Sequence, residues 1–337
     1  PIDRMDRGDD KCGGKGLVLL YMVKIIMNTP KEFAPYATRF LPHMVSVACR
    51  NHANGGNGIH YFVRDICTTL LRWAGMHDPR ASPQIGLDSS SETCIEQISA
   101  LVAHLITHVL SHQLSQSTWK KIFHANLSLI QDFVETFQPT RPSGKYIAVP
   151  ADIFHGLLSA DDARFKAGGI QALSLCLQNN VNIVDGHHSL QHLYELIFPL
   201  LGHRTKSVHG PAAELLAYAL RLGNASDPRG IPVLIKNGSL LWKVMHQVRQ
   251  FSQGRKAADT NMFVYVLYKM CSGGKVDKGQ FNGAPHIAHH FRVMVLQVLP
   301  KLRGDFLTRG IQVLVLMANN WQIANESRVN IQEEALK

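Results

Sequence analysis

Ile59-His60-Tyr61-Phe62-Val63-Arg64-Asp65-Ile66-Cys67-Thr68-Thr69-Leu70-Leu71-Arg72-Trp73 places Ile59, Phe62, Val63, Ile66, Leu70 and Trp73 at steps of three and four residues. That spacing is one face of a 3.6-residue helix, not the two-residue alternation of a half-buried strand. The breaker cluster Asn54-Gly55-Gly56-Asn57-Gly58 stands immediately before it and marks a helix start.

Working outward, the same period recurs at Ile95, Ile98, Val102, Leu105 and Val109, and at Trp119, Ile122, Phe123, Ile130, Phe133, Val134 and Phe137. It continues through Ile170, Leu173 and Leu177; Leu215, Leu216 and Leu220; Leu241, Val244, Met245 and Val248; Ile287, Phe291, Met294, Val295 and Val298; and Leu307, Ile311, Leu314, Val315 and Ala318. Strict alternation never lasts long enough to suggest a sheet, so an all-α chain without strands is expected. Gly and Pro clusters divide the stripes into helix pairs of about 40 residues, the repeat length of HEAT and armadillo arrays. The predicted fold class is an all-α α-solenoid of HEAT/armadillo-like antiparallel helix pairs, because evenly spread apolar stripes suit helices that bury their faces on their neighbours. The expected organisation is a flexible N-terminal segment over 1–15, a continuous repeat array over 16–321 with mobile loops near 76–92 and 138–149, and a polar C-terminal segment over 322–337. Trp73, closing the first stripe, is expected in the core.

The 337 residues are 45% hydrophobic and 18% charged, which excludes a disordered or collagenous chain. The longest apolar run, Leu17 to Val23, stops at Lys24 and falls short of the ~20 residues that span a bilayer. No membrane association is expected. Pro1 stands where an initiator Met would be, so the sequence reads as a piece of a larger protein. Six cysteines at 12, 49, 67, 94, 176 and 271 form no C-x-x-C pair, which fits a reducing compartment.

Catalytic signatures are missing. Gly14-Lys15, Gly144-Lys145 and Gly274-Lys275 are followed by Gly16, Tyr146 and Val276, so no hydroxyl is placed to hold a phosphate-bound Mg²⁺. Nucleophile-elbow, zinc-protease and protein-kinase motifs are absent too. No catalytic residue and no cofactor is read from the sequence. His104, His108 and His112 recur at i, i+4 and i+8, a spacing at which imidazoles can share a metal, but no acid or cysteine completes the set. His188 with His192 reads as one isolated, solvated i, i+4 pair, and His286, His289 and His290 as a polar flank. Asn126 interrupts an apolar stripe and is expected to make an inter-helix hydrogen bond that sets repeat register.

Charge carries more. The net charge is +10, and between Arg204 and Lys256 the basic residues Arg204, Lys206, Arg221, Arg229, Lys236, Lys243, Arg249, Arg255 and Lys256 face only Glu214 and Asp227. Such a stretch can lie along nucleic-acid phosphates or an acidic partner. Arg204, Lys206, Arg249, Arg255 and Lys256 are the candidate contacts, since they flank the breaks at Gly202 and Gly254.

Several segments, in consistent order from about Gly16 to Trp321, resemble the central HEAT-repeat cradle of the phosphatidylinositol-3-kinase-related kinases: Phe33 to Pro42, Gly55 to Trp73, Phe123 to Ile130, Pro211 to Leu216 and Val298 to Leu302. The likeness is to the very large member that the Ku heterodimer recruits to DNA double-strand ends for non-homologous end joining. It implies a non-catalytic scaffold within a nuclear serine/threonine kinase whose catalytic domain lies far C-terminal of this region. The implied partners are neighbouring repeats, the kinase region of the parent chain, Ku and DNA ends. The family's preference for Ser or Thr before Gln makes Ser115 and Ser252 candidate phosphorylation positions, each being followed by Gln. The rival reading is a stand-alone armadillo/HEAT adaptor that binds acidic peptides or nucleic acid through the basic stretch. A metal-dependent hydrolase built on the histidine helices is a third, which stoichiometric zinc in the purified protein would support.

Overall fold

The computed structural model describes residues 13–54, 59–78, 80–81, 85–108, 116–137, 146–224 and 295–320, together with positions 264, 268 and 293. The chain divides into two compact units, one of Pro1–Ile153 with Leu175–Val184, the other of Phe154–Ser174 with Asp185–Lys337. The described residues are dominated by α-helices, as the apolar period predicts, and the fold is an all-α helical-repeat fold.

In the first unit, α1 (Gly13–Asn28) leads through the short α2 (Pro30–Phe33) and a 3₁₀ turn (Ala34–Tyr36) into α3 (Ala37–Asn54). Helices α4 (Ile59–Gly75), α5 (Glu92–Thr107) and α6 (Gln116–Thr136) follow. Each packs on the next within a pair, α3 with α4 and α5 with α6, while α3 also packs on α5 and α4 on α6. Pairs stacked like on like, each burying its stripe on the next, are the packing that a solenoid repeat requires. The stripe residues do the packing: Val63, Ile66, Leu70 and Trp73 in α4, Ile95, Ile98, Val102 and Leu105 in α5, and Phe123, Ile130, Phe133 and Val134 in α6 are all buried. Arg64 and Asp65, on the opposite face of α4, are exposed.

Trp73 also closes a junction. Its indole Nε1 donates to the carbonyl of Pro30 at 2.8 Å, and its own carbonyl accepts from Leu87 N at 3.0 Å. Gly86, at φ +86°, lets the chain pass: a Cβ there would lie 2.4 Å from the Trp73 carbonyl oxygen and 2.7 Å from His77 N.

The expectation of no sheet is corrected by one small pairing. Strands β1 (Ala148–Pro150) and β2 (Asn182–Val184) run parallel in the register Ala148 to Asn182, Val149 to Ile183 and Pro150 to Val184. Three residues are too few to display a period, and the partners lie more than thirty residues apart, so no local pattern announces them. β1 packs on α5, where Ala148 N donates to Ser99 Oγ at 3.0 Å, and Pro150, lacking an N–H, ends the strand.

Helix α7 (Ala151–Ser159) and helix α8 (Ala163–Gln178) come next in the chain. In the second unit, Leu157 and Leu158 of α7 meet α8 at Gly169, where an added Cβ would stand 2.7 Å from Leu157 Cβ. Asp162 accepts from Arg164 N at 2.8 Å and so satisfies an otherwise unpaired donor at the start of α8. Helix α9 (Leu190–Ile197), a 3₁₀ segment (Phe198–Gly202) and α10 (Lys206–Asn224) pack together over buried Leu193, Tyr194, Ile197, Leu201, Val208, Leu215 and Leu216. Helix α11 (Asp305–Asn320) packs on the 3₁₀ turn Leu299–Lys301 that precedes it. Among the described residues no helix is long and apolar enough to cross a membrane.

Candidate functional site

Two of the five candidate basic contacts fall on described residues. Arg204 and Lys206 stand exposed where the chain leaves the 3₁₀ segment and enters α10. That entry is tied down from beneath: Thr205 N donates to His203 Nδ1 at 3.2 Å, His209 Nδ1 donates to the His203 carbonyl at 2.9 Å, and the Thr205 carbonyl accepts from Val208 N and His209 N. Burial holds the His209 imidazole below its ordinary pKa, and the neighbouring Lys206 charge pushes the same way. Cations at a helix N-terminus oppose the helix dipole by about 0.3–1 kcal/mol each, so the placement of Arg204 and Lys206 does not serve the helix itself. Arg249, Arg255 and Lys256 lie outside the described residues, as do Ser115 and Ser252; Gln116, the partner of Ser115 in its dipeptide, is the first residue of α6.

The hydrogen bond expected of Asn126 is present and has a definite partner. Asn126, buried in α6, donates from Nδ2 to the carbonyl of Leu105 at 3.1 Å. Leu105 lies in the last turn of α5, where carbonyls lack partners within their own helix, so the asparagine satisfies one of them across the helix pair.

The histidine row divides. His104 is half-buried in α5, and burial lowers its pKa; the His104 and His108 ring centroids are 6.3 Å apart; His112 lies outside the described residues. The reading of His188 and His192 as an isolated pair misses a third ring. His155, on α7, stacks against His188 with centroids 3.5 Å apart and lies 5.7 Å from His192. Thirty-three residues separate His155 from His188, so no spacing in the sequence joins them. His286, His289 and His290 are outside the described residues.

Comparison with known proteins gives matches along most of the chain. The family description "DNA-dependent protein kinase catalytic subunit, CC3" matches residues 16–79, and "DNA-PKcs, CC5" matches residues 101–325. Among curated relatives, the DNA-dependent protein kinase catalytic subunit of Dictyostelium discoideum is 24% identical over 84% of this chain, that of Canis lupus familiaris 24% over 92%, and that of Gallus gallus 27% over 89%. The chain spans only 6–7% of the length of these relatives.

Proposed function

We propose, for a chain that belongs to the DNA-dependent protein kinase catalytic subunit family, a non-catalytic role as a helical-repeat scaffold segment supporting DNA double-strand break repair by non-homologous end joining. The observation that carries this reading is the like-on-like stacking of α3 and α4 on α5 and α6, stitched by Asn126. Small rotations between stacked pairs accumulate along a repeat array, so a segment of this kind shapes a surface and passes rearrangement to its neighbours. The serine/threonine kinase domain then belongs to another part of the parent protein, the setting is the nucleus, and the partners are the adjoining repeats, the kinase region, the Ku heterodimer and DNA ends.

The test is made in the full-length parent protein, with Asn126→Leu and Trp73→Ala introduced to loosen the repeat packing. DNA-end-stimulated phosphorylation should fall while DNA-independent phosphorylation of a peptide substrate persists. Unchanged stimulation despite demonstrably loosened packing would reject the scaffold role, as would magnesium-dependent ATP turnover by the purified 337-residue chain.

Arg204 and Lys206, exposed at the start of α10, favour a second reading. In it the chain is a stand-alone armadillo/HEAT adaptor for acidic peptides or nucleic acid. The full reading frame separates the two: long flanking repeats and a distant kinase domain belong to the first, nearby start and stop codons to the second.

A further inference from the structure

We propose that His155, His188 and His192 form a binding site for one zinc ion. The three histidines come from separate places: His155 from α7, His188 from the loop before α9, and His192 from the first turn of α9. Each offers one ring nitrogen, and those nitrogens lie within 4.8 Å of one another. The rings fan like pages, with interplanar angles of 8° between His155 and His188, 17° between His188 and His192, and 24° between His155 and His192. All three side chains are half-buried, so an ion can reach them from solvent and still shed part of its hydration shell on binding.

The loop that presents His188 is held before any ion arrives. Asp185 Oδ1 accepts from Leu190 N at 3.2 Å, Gly186 N donates to the His188 carbonyl at 3.1 Å, and Ser189 Oγ accepts from His192 N at 3.3 Å to cap α9. Two of the rings also have outer partners. Glu195 Oε2 stands 4.0 Å from His192 Nδ1, and Ser159 Oγ stands 3.4 Å from His155 Nε2. A carboxylate that hydrogen-bonds one imidazole nitrogen supports metal binding at the other, and a small movement of Glu195 towards Nδ1 would give His192 that support.

An all-imidazole set suits zinc, copper or nickel and discriminates against magnesium and calcium, which prefer oxygen ligands. Zinc is almost always held tetrahedrally with nitrogen ligands at ~2.0–2.1 Å, which puts neighbouring nitrogens roughly 3.3 Å apart. Imidazole lone pairs lie in the ring planes, so to bind one ion the stacked rings would have to turn about their χ angles until their planes converge and the nitrogens close from within 4.8 Å to that value. Three protein ligands leave a fourth position for water or an incoming group. A bound ion would tie His155 to the loop and to the first turn of α9, and all three ligand positions belong to the second unit. The inference does not rest on the scaffold reading.

The test uses the full folded chain stripped with a chelator, its accessible thiols alkylated so that exposed cysteine cannot compete, and titrated with zinc against a chromophoric chelator. About one equivalent should bind saturably, and X-ray absorption should show nitrogen neighbours at ~2.0–2.1 Å. His155→Gln, His188→Gln and His192→Gln should each weaken binding at least tenfold, Glu195→Gln about tenfold, and His104→Gln not at all. In the unmodified chain, zinc should also protect these three rings from diethyl pyrocarbonate, read residue by residue in peptide mass spectra. That measurement decides the matter even if a variant fails to fold. Absence of saturable binding, binding that survives the triple variant, or failure to protect the three rings would overturn the assignment.

Discussion

Replacement of Trp73 tests the packing of the first unit most directly. The side chain is 0% exposed and makes two separable contributions, apolar volume at the end of the α4 stripe and a 2.8 Å hydrogen bond from Nε1 to the Pro30 carbonyl. Truncating a buried Trp to Ala removes both and costs ~3–5 kcal/mol, through lost transfer energy and the cavity left behind. Trp73→Phe keeps most of the volume and removes only the donor, leaving the Pro30 carbonyl short of a partner at a cost of ~1–3 kcal/mol. Because that contact is only partly buried, the lower half of the range is expected. The two variants should therefore differ by ~1–4 kcal/mol, the packing share. Urea unfolding followed by far-ultraviolet circular dichroism gives the two values, and amide exchange places the loss in α4 and at Leu87 N, which donates to the Trp73 carbonyl. Because repeat arrays can unfold in stages, the exchange data decide where a multiphasic urea curve is ambiguous. A loss below about 1 kcal/mol for Trp73→Ala, or a Phe variant as damaging as the Ala variant, would refute the reasoning.

Asn126→Leu should destabilise the α5–α6 pair by ~1–3 kcal/mol through the unpaired Leu105 carbonyl, seen as faster amide exchange in the last turn of α5; unchanged exchange there would deny the bond its role. Gly86→Ala should cost more than the ~1–2 kcal/mol of a left-handed residue alone, since the new Cβ meets backbone atoms of Trp73 and His77; a wild-type melting temperature would refute this. Burial pushes the thiols of Cys67, Cys94 and Cys176 up to about 12 and that of Cys49 to about 11, from an ordinary 9.0. Their contribution is complete below pH 9.0 and is lost as pH rises towards 12, by at most about 1.4 kcal/mol per pH unit for each thiol, so the urea midpoint should fall between pH 8 and pH 10.5. At pH 8 the native chain should leave Cys67, Cys94 and Cys176 unalkylated in residue-resolved mass spectra. Charge reversal at Arg204 and Lys206, and then at Arg249, Arg255 and Lys256, should weaken binding to duplex DNA and flatten its salt dependence by about 0.9 log units per lost phosphate contact; an unchanged slope would make the stretch a solvated face.

The amino-acid sequence alone determined what depends on near neighbours. The spacing of Ile66, Leu70 and Trp73 dictates a helix and the face it buries, because a 3.6-residue period is written within two turns of chain. The Asn126 bond was legible as a kind of contact, since a polar side chain on an apolar stripe must find a partner. Its identity was not, because only the packing of α6 on α5 selects the Leu105 carbonyl. The basic surplus between Arg204 and Lys256 was countable, but the exposure of Arg204 and Lys206 follows from the hydrogen bonds that fix the entry to α10. The β1–β2 pairing and the meeting of His155 with His188 and His192 were decided by tertiary structure alone. Each joins residues some thirty positions apart, and contacts at that range are set by how whole helices pack, which no local period records.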